Sequence, residues 1–246
     1  KVLKLLHRFG WLRTRDIAAL VWLPTHRGRS TIPPTLSPPK ATSSGLRMAQ
    51  RTLRALQTNG FVLQTKAPDG AWIFVLSQKG ADALNQIGIS ARSGKDLLRD
   101  RSFSYYRHRC ISTEIAISAL LEGCKVTTEL ELLKNGSLFV NPAVRKLPDV
   151  LVRQYDNWYW VEVEKSRKNQ SDYFRLLKWL QIIRVDQNHT IIGFPNARVT
   201  VVFICIKSFK SRLVKDLINL GWSGVEIDTV IDFKDSLYQF DFIHIL

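Results

Sequence analysis

Apolar residues in the first half of the chain recur three and four positions apart and then alternate with polar ones. The helical spacing predicts three amphipathic helices, over residues 1–9, 15–22 and 43–58. Thr14 is placed to cap the second helix, and Asn59-Gly60 ends the third. Strand-like residues on both sides of Pro68-Asp69-Gly70 predict a β-hairpin, and Ser77 caps a closing helix over 78–87.

The second half mixes helical and strand patterns. Helices are predicted over 103–121, 171–188 and 207–220, and strands over 124–132, 147–152, 160–165, 199–206 and 224–228. The polar link Gln154-Tyr155-Asp156-Asn157 makes a hairpin of the second and third strands. The core order αβββαβ, with an extra helix and strand behind it, predicts an α/β (α+β) fold. We therefore expect one domain over 1–89, a linker over 90–101 and a second domain over 102–246.

The first domain resembles a winged helix-turn-helix domain. Its order of helices and hairpin matches that fold, and RTLRALQTNGFVLQ resembles the passage from recognition helix to wing. In that family the third helix enters the DNA major groove and the hairpin touches the backbone. The resemblance implies five DNA-binding residues: Arg47, Gln50, Arg51, Arg54 and Lys66. Some winged helices bind proteins instead, and that alternative stays open.

The charge of the chain favours nucleic acid as the partner. Its 246 residues include 36 Lys and Arg against 21 Asp and Glu, a net charge of +15. Residues 1–100 hold 16 basic and 5 acidic residues, so +11 of that charge lies in this part. The basic residues do not line one face of a lone amphipathic helix, which disfavours an anionic membrane. No apolar run is long enough to span a bilayer.

Residues 24–42 separate the second and third predicted helices. They contain five prolines together with Arg27, Arg29 and Lys40, and proline at this density excludes regular secondary structure. The segment is either a disordered insertion or a basic arm that follows the duplex, and its charge favours the arm.

The cysteines are few and widely spaced, which fits neither a zinc site nor a disulfide framework. We expect buried thiols in a reducing cytoplasm at all three positions: Cys110, Cys124 and Cys205.

Three acidic residues of the second-half hairpin are candidates for a metal site. Asp149 lies near the start of one strand, and Glu162 and Glu164 lie near the end of the other. Antiparallel pairing brings them together, and the spacing of two puts both glutamates on one face of the strand. Oxygen ligands of this kind hold Mg²⁺ or Mn²⁺. The competing interpretation is an ordinary strand whose acidic face is exposed to water.

The core order, with Pro148-Asp149 and Glu162-Val163-Glu164-Lys165, resembles the PD-(D/E)XK nuclease superfamily over about residues 102–230. The resemblance implies that Asp149 and Glu162 ligate a metal ion. Glu164 stands where lysine is usual, a change that some members tolerate. Lys165 faces the opposite side of a regular strand unless a bulge turns it. Glu114 matches a position where many members place another acidic residue.

Phosphodiester cleavage accounts for these residue types. A divalent ion offsets phosphate charge and lowers the pKa of a bound water. Glu164 is the candidate to orient or deprotonate the water, while Lys165 or Lys168 stabilises the charge that develops on phosphate. His108 is a candidate for substrate contact. The sequence also raises a covalent route through a tyrosine nucleophile, with three candidates: Tyr105, Tyr106 and Tyr173.

The two domains together are similar to the MobC-type relaxases of mobilisable plasmids and to replication-relaxation proteins. The segments YRHRCISTEIAI, TTELEL and LPDVLV carry that resemblance. It implies a Mg²⁺- or Mn²⁺-dependent endonuclease that nicks one strand of double-stranded DNA at a transfer origin during plasmid mobilisation or conjugation. An accessory mobilisation protein and a homodimer are further expected partners. The alternative is a non-enzymatic replication or transcription regulator with a degenerate nuclease fold.

Overall fold

The computed structural model describes residues 1–24, 32–99, 102–135, 146–164, 169–185, 198–234 and 236–240. The chain divides into two compact units, Lys1–Gly123 and Cys124–Leu246, each of mixed α/β structure with its own sheet. No helix in the described ranges is both long and apolar enough to cross a membrane. The cysteines are buried free thiols, as predicted: Cys110, Cys124 and Cys205.

In the first unit the described elements are α1 (Val2–Phe9), β1 (Trp11–Arg13), α2 (Thr14–Trp22), α3 (Ser43–Thr58), β2 (Val62–Lys66), β3 (Trp72–Leu76), α4 (Gln78–Asn85), a 3₁₀ helix (Lys95–Leu98) and α5 (Phe103–Leu121). The strands form an antiparallel sheet in the order β1-β3-β2. The predicted helices and hairpin are confirmed. Strand β1 was not predicted, because three residues are too few to show an alternating pattern.

Side-chain caps explain where two helices of this unit begin. The prediction that Thr14 caps α2 is wrong, because Thr14 is the first helical residue. Arg13 occupies the N-cap position, and its backbone N–H donates to Asp16 Oδ2 (2.8 Å). Ser77 caps α4 as predicted, since its hydroxyl accepts the Gly80 N–H (3.0 Å).

The described part of the Pro-rich segment is anchored to the residue that follows α5. The Glu122 carboxylate accepts the backbone N–H groups of Thr35 (3.0 Å) and Leu36 (3.2 Å) and the Thr35 hydroxyl (2.6 Å). Leu36 is fully buried. The alternative of a disordered insertion is therefore wrong for residues 32–42, while residues 25–31 lie outside the described part of the chain.

The predicted linker, 90–101, lies in the first unit as far as it is described. The Gly94 N–H donates to the Leu76 carbonyl (2.9 Å). A Cβ at position 94 would lie 2.8 Å from the Val75 Cβ, so this close approach requires glycine. The division between the units follows Gly123, which places α5 in the first unit.

In the second unit the described elements are β4 (Lys125–Thr128), α6 (Glu129–Asn135), β5 (Val150–Gln154), β6 (Asn157–Glu164), α7 (Gln170–Val185), β7 (Arg198–Cys205), α8 (Lys207–Asn219), α9 (Gly224–Val230), β8 (Ile231–Lys234) and a 3₁₀ turn (Leu237–Gln239). The sheet order is β4-β5-β6-β7-β8. Pairing is antiparallel from β4 to β6 and parallel from β6 to β8. Residues of α7 and α8 share one buried core with the sheet, which includes Trp160, Trp179, Phe203 and Leu213.

Two segments that were predicted as strands contain helices, and each helix begins with a capping box. The first predicted strand of the second half ends at Thr128, whose backbone N–H donates to Glu131 Oε2 (2.8 Å) as α6 begins. The last predicted strand is the helix α9. Its Ser223 N–H donates to Glu226 Oε2 (2.7 Å), and the Glu226 N–H donates back to Ser223 Oγ (3.2 Å). The edge strand of the sheet at this end is β8 instead.

Candidate active site and nucleic-acid interface

The β5–β6 hairpin carries the predicted acidic residues. Val150 pairs with Val161, and the two-residue turn is made by Tyr155, in a left-handed conformation (φ 55°), and Asp156. Just before β5, the Asp149 backbone N–H donates to the Val161 carbonyl (3.0 Å). This bond holds Asp149 against the C-terminal half of β6.

The Asp149 carboxylate lies close to two glutamates. Its Oδ2 accepts the backbone N–H of Val163 (2.7 Å), the residue between Glu162 and Glu164. Asp149, Glu162 and Glu164 are named the acidic cluster below. Both glutamates are buried, with 3% and 4% of their surface exposed. The interpretation as a water-facing strand is therefore wrong for these two residues.

Glu162 is held at both carboxylate oxygens. Its Oε1 accepts the indole N–H of Trp160 (2.6 Å), and its Oε2 accepts the Lys146 ammonium (2.7 Å). Burial raises the pKa of Glu162, and the Asp149 charge raises it further, while Lys146 and Trp160 oppose that rise. The net direction is upward, so the site favours a nearby positive charge.

Lys146 is a member of this site that the sequence did not reveal. Its ammonium bonds Glu162 and also lies 5.3 Å from the centre of the Trp179 ring. Burial lowers the pKa of Lys146, but the charges of Glu162, Asp149 and Glu164 outweigh this effect and raise it. Lys146 is therefore bonded to Glu162 and influenced by the charges of Asp149 and Glu164. It lies before β5, where no alternating pattern indicates the direction of a side chain.

The donor chemistry of the acidic cluster suits a hard divalent cation, because all three side chains offer carboxylate oxygens. One ammonium offsets one of three negative charges. Within the described ranges, no group of three or more His, Cys, Asp or Glu side chains is arranged to hold a metal ion. The acidic cluster thus offers the donor atoms that such an ion prefers without an arrangement that holds one, and the cation bound to Glu162 in this structure is Lys146.

The sequence suggested two lysines for this site, Lys165 and Lys168. Both lie outside the described residues, which end at Glu164 and resume at residue 169. Their assignment to phosphate remains a prediction. Within the part of the chain that the structure describes, Lys146 is bonded to a member of the acidic cluster.

Glu114, the further metal ligand suggested by the sequence, lies on α5 in the first unit. Its Oε1 accepts Arg13 Nη2 (2.5 Å) and pairs with Arg15 Nη2 (3.0 Å). Burial raises the pKa of Glu114, and both arginines oppose the rise. Arg13 also bonds both oxygens of Asp16 (2.9 and 2.8 Å). Glu114 therefore belongs to a buried ionic network of its own unit.

The predicted DNA-binding residues share an exposed surface of α3. Ala49 and Leu53 are buried on the inner side of this helix. The polar residues of the other side are all exposed: Arg47, Gln50, Arg51 and Arg54. Lys66, at the end of β2, is exposed too, and its ammonium lies 5.7 Å from the Trp72 ring across the hairpin. The hairpin thus adds the Lys66 ammonium and the half-exposed Trp72 indole to the basic surface of the first unit.

The sequence around α3 contains no acidic residue. Between Asp16 and Asp69 there are seven Lys and Arg residues and no Asp or Glu. Asp16 is buried against Arg13, and the Asp69 carboxylate accepts the Tyr106 hydroxyl (2.9 Å). Asp16 is thus neutralised inside the unit and Asp69 is bonded to Tyr106 at the hairpin turn, and the exposed face of α3 itself carries no acidic residue, which favours a polyanion.

Two of the three candidate tyrosine nucleophiles are held as hydrogen-bond donors. The Tyr106 hydroxyl donates to Asp69, and the Tyr173 hydroxyl donates to Asp216 (2.7 Å). Burial is the main cause that raises the pKa of both phenols, so both stay protonated at neutral pH. Tyr105 is exposed on α5, where His108 is half-buried.

The chain matches no protein-family model, and no curated protein or solved structure is significantly similar to it. Function is therefore inferred from the chemistry of the acidic cluster and from the basic surface of the first unit.

Proposed function

We propose that the protein is a Mg²⁺- or Mn²⁺-dependent DNA endonuclease that nicks one strand at a defined site, as a relaxase of a plasmid or mobile element would. The observation that carries the proposal is the acidic cluster, bound to Lys146 at the end of the β5–β6 hairpin. Buried carboxylates beside an ammonium, in a chain of net charge +15, suit hydrolysis of an anionic phosphodiester.

The topology of the second unit supports assignment to the PD-(D/E)XK superfamily. Antiparallel β4, β5 and β6 are followed by α7 and by β7, which pairs parallel to β6. Asp149 directly precedes β5, and Glu162 lies near the end of β6, as the motif requires. Glu164 stands in the usual lysine position, so another residue must supply the positive charge.

In the proposed reaction, Glu164 orients a water molecule and accepts its proton. The water oxygen bonds to phosphorus, the bond from phosphorus to one deoxyribose oxygen breaks, and that oxygen takes up a proton from solvent. A divalent ion held by Asp149 and Glu162 would offset phosphate charge and lower the pKa of the water. The hydrogen bond from Trp160 fixes the orientation of Glu162.

The first unit is proposed to act as a winged helix that locates the DNA site. The exposed arginines of α3 would enter the major groove, and Lys66 on the hairpin would contact a phosphate. The acid-free stretch of sequence around these residues supports this assignment. The partner is double-stranded DNA, with an accessory mobilisation protein or a second copy of the chain as additional partners.

We expect Arg51→Ala to weaken binding to duplex DNA and to lower the slope of log K against log salt by about 1, the loss of one phosphate contact. Fluorescence anisotropy of a labelled duplex across a salt series measures both quantities. Lys4→Ala is the matched control, because Lys4 is an exposed cation on α1 rather than on the predicted recognition helix. Equal losses in the two variants would argue against α3 as the interface.

The nuclease proposal is tested by incubating the protein with supercoiled plasmid that carries a candidate transfer origin, in Mg²⁺, in Mn²⁺ and in EDTA. The expected product is the nicked circle, formed only with a divalent ion. Linear plasmid would indicate a double-strand cut instead. Intact plasmid with reduced gel mobility would overturn the proposal and favour a DNA-binding regulator.

The regulator is retained as a second candidate because of one observation. The Lys146 ammonium neutralises the charge of the Glu162 carboxylate. A degenerate nuclease site that binds no metal ion would need such an internal cation. The plasmid assay separates the two candidates, since a regulator shifts the plasmid without changing its topology.

A further inference from the structure

Lys146 differs from the acidic cluster in its exposure. Its side chain is 27% exposed, whereas the side chain of its partner Glu162 is 5% exposed. Part of the Lys146 side chain is therefore accessible to solvent while its ammonium remains bonded to a buried carboxylate. A ligand that approaches Glu162 from solvent meets Lys146 at the edge of the site.

The position of the ammonium is fixed by rigid neighbours. Trp179 belongs to α7, and its ring lies 5.0 Å from that of Trp160 at an interplanar angle of 43°. Trp160 in turn donates to Glu162. Lys146 lies 5.3 Å from the Trp179 ring centre and 2.7 Å from Glu162 Oε2. An indole face and a carboxylate thus hold the ammonium in place, on a side chain that is partly exposed to solvent.

The negative charge of the acidic cluster calls for a nearby cation such as the Lys146 ammonium if the substrate is DNA. Three carboxylates repel a phosphodiester, and Glu164 replaces the lysine of the usual motif. Lys146 is the described basic residue whose ammonium feels all three carboxylates. A lysine can change partners readily, because its three N–H donors rotate on a flexible stem.

We propose that Lys146 contacts the phosphate that is cut and stabilises the charge that develops on it. This inference rests on the proposed nuclease function and deepens it. In the resting site Lys146 bonds Glu162, and with DNA bound one of its N–H groups donates to a non-bridging phosphate oxygen. The competing role is a purely structural counter-ion that never touches substrate.

The test compares Lys146→Gln with Lys146→Arg in the full chain. The glutamine amide is uncharged and keeps an N–H donor at this position, and the melting temperature of Lys146→Gln checks that the variant remains folded. Lys178→Gln is the matched control, because Lys178 neighbours Trp179 on α7 and stacks on the exposed Phe174 ring at 4.7 Å. The readouts are plasmid nicking rate, melting temperature and the salt slope of DNA binding in EDTA.

We expect Lys146→Gln to nick about a hundredfold more slowly, in the range known for loss of one transition-state donor. Its salt slope should fall by about 1, while Lys146→Arg retains the slope and Lys178→Gln changes neither quantity. Unchanged nicking and an unchanged salt slope in Lys146→Gln would overturn the inference. Faster nicking would also overturn it, because it would show that Lys146 is a counter-ion that competes with the metal ion for Glu162. If wild type does not nick, the nuclease proposal fails, and the slope in EDTA still decides whether Lys146 contacts DNA.

Discussion

Replacing Asp149 with Asn, or Glu162 with Gln, should reduce plasmid nicking by about a hundredfold or more and leave DNA affinity within about twofold of wild type. Both substitutions keep the size of the side chain and remove its negative charge. The amide oxygen at position 149 would still accept the Val163 N–H, and the amide oxygen at position 162 would still accept the Trp160 N–H. The hairpin geometry should therefore survive. The loss would therefore come from the missing charge that binds the ion.

The nicking rate is measured on supercoiled plasmid and the affinity by anisotropy, with melting temperature as a check on folding. Asp156→Asn is the matched control, since Asp156 is an exposed carboxylate in the turn of the same hairpin. This variant should nick at the wild-type rate. Wild-type nicking by Asp149→Asn or Glu162→Gln would show that the acidic cluster does not perform the cleavage.

Arg13→Met should cost about 3–5 kcal/mol in the free energy of unfolding, the range for breaking a buried ion pair. Arg13 is 2% exposed and bonds both Asp16 and Glu114. Methionine leaves these two buried carboxylates without their main partner. Arg15→Met is the matched control, because Arg15 pairs with the same Glu114 but is 33% exposed, and its loss should cost about 1 kcal/mol or less.

The pH dependence of Arg13→Met gives an independent check. Burial already raises the pKa of Glu114, and removal of the guanidinium raises it further. A folded-state pKa above the unfolded value destabilises the fold at neutral pH, and this penalty fades as pH falls and the carboxyl takes up its proton. The deficit of the variant should thus shrink between about pH 7 and pH 4.5 in urea titrations. An equal deficit at both pH values would contradict an electrostatic origin.

Long periodic segments could be predicted from the sequence, and two seven-residue helices of the second unit were missed. Helix α3 and the β2–β3 hairpin follow from helical spacing and from the turn at Pro68-Asp69-Gly70. Helices α6 and α9 were missed because both have only seven residues. Glu and Leu alternate at the start of α6 as in a strand, and α9 is rich in the β-branched residues Val, Ile and Thr. Their capping boxes, Thr128 to Glu131 and Ser223 to Glu226, were present in the sequence and would have identified both starts.

The residues of the candidate site likewise differ in how far the sequence could predict them. The Asp149 and Glu162 pairing follows from a hairpin, a local contact whose geometry the turn determines. Lys146 precedes β5 outside any repeating pattern, so sequence spacing gives its side chain no direction. The partnership of Arg13 with Glu114 joins residues 101 positions apart, and such contacts depend on packing that no local pattern encodes.

The indoles beside Glu162 give this protein an intrinsic optical reporter. Trp160 donates its N–H to the carboxylate that would meet an ion, and the Trp179 ring lies under the ammonium of Lys146. Indole fluorescence responds to the hydrogen bonds and charges around the ring. Arrival of a metal ion or a phosphate at these carboxylates should therefore alter the emission within milliseconds. Stopped-flow fluorimetry could then follow the site in an unlabelled protein, before any strand is cut.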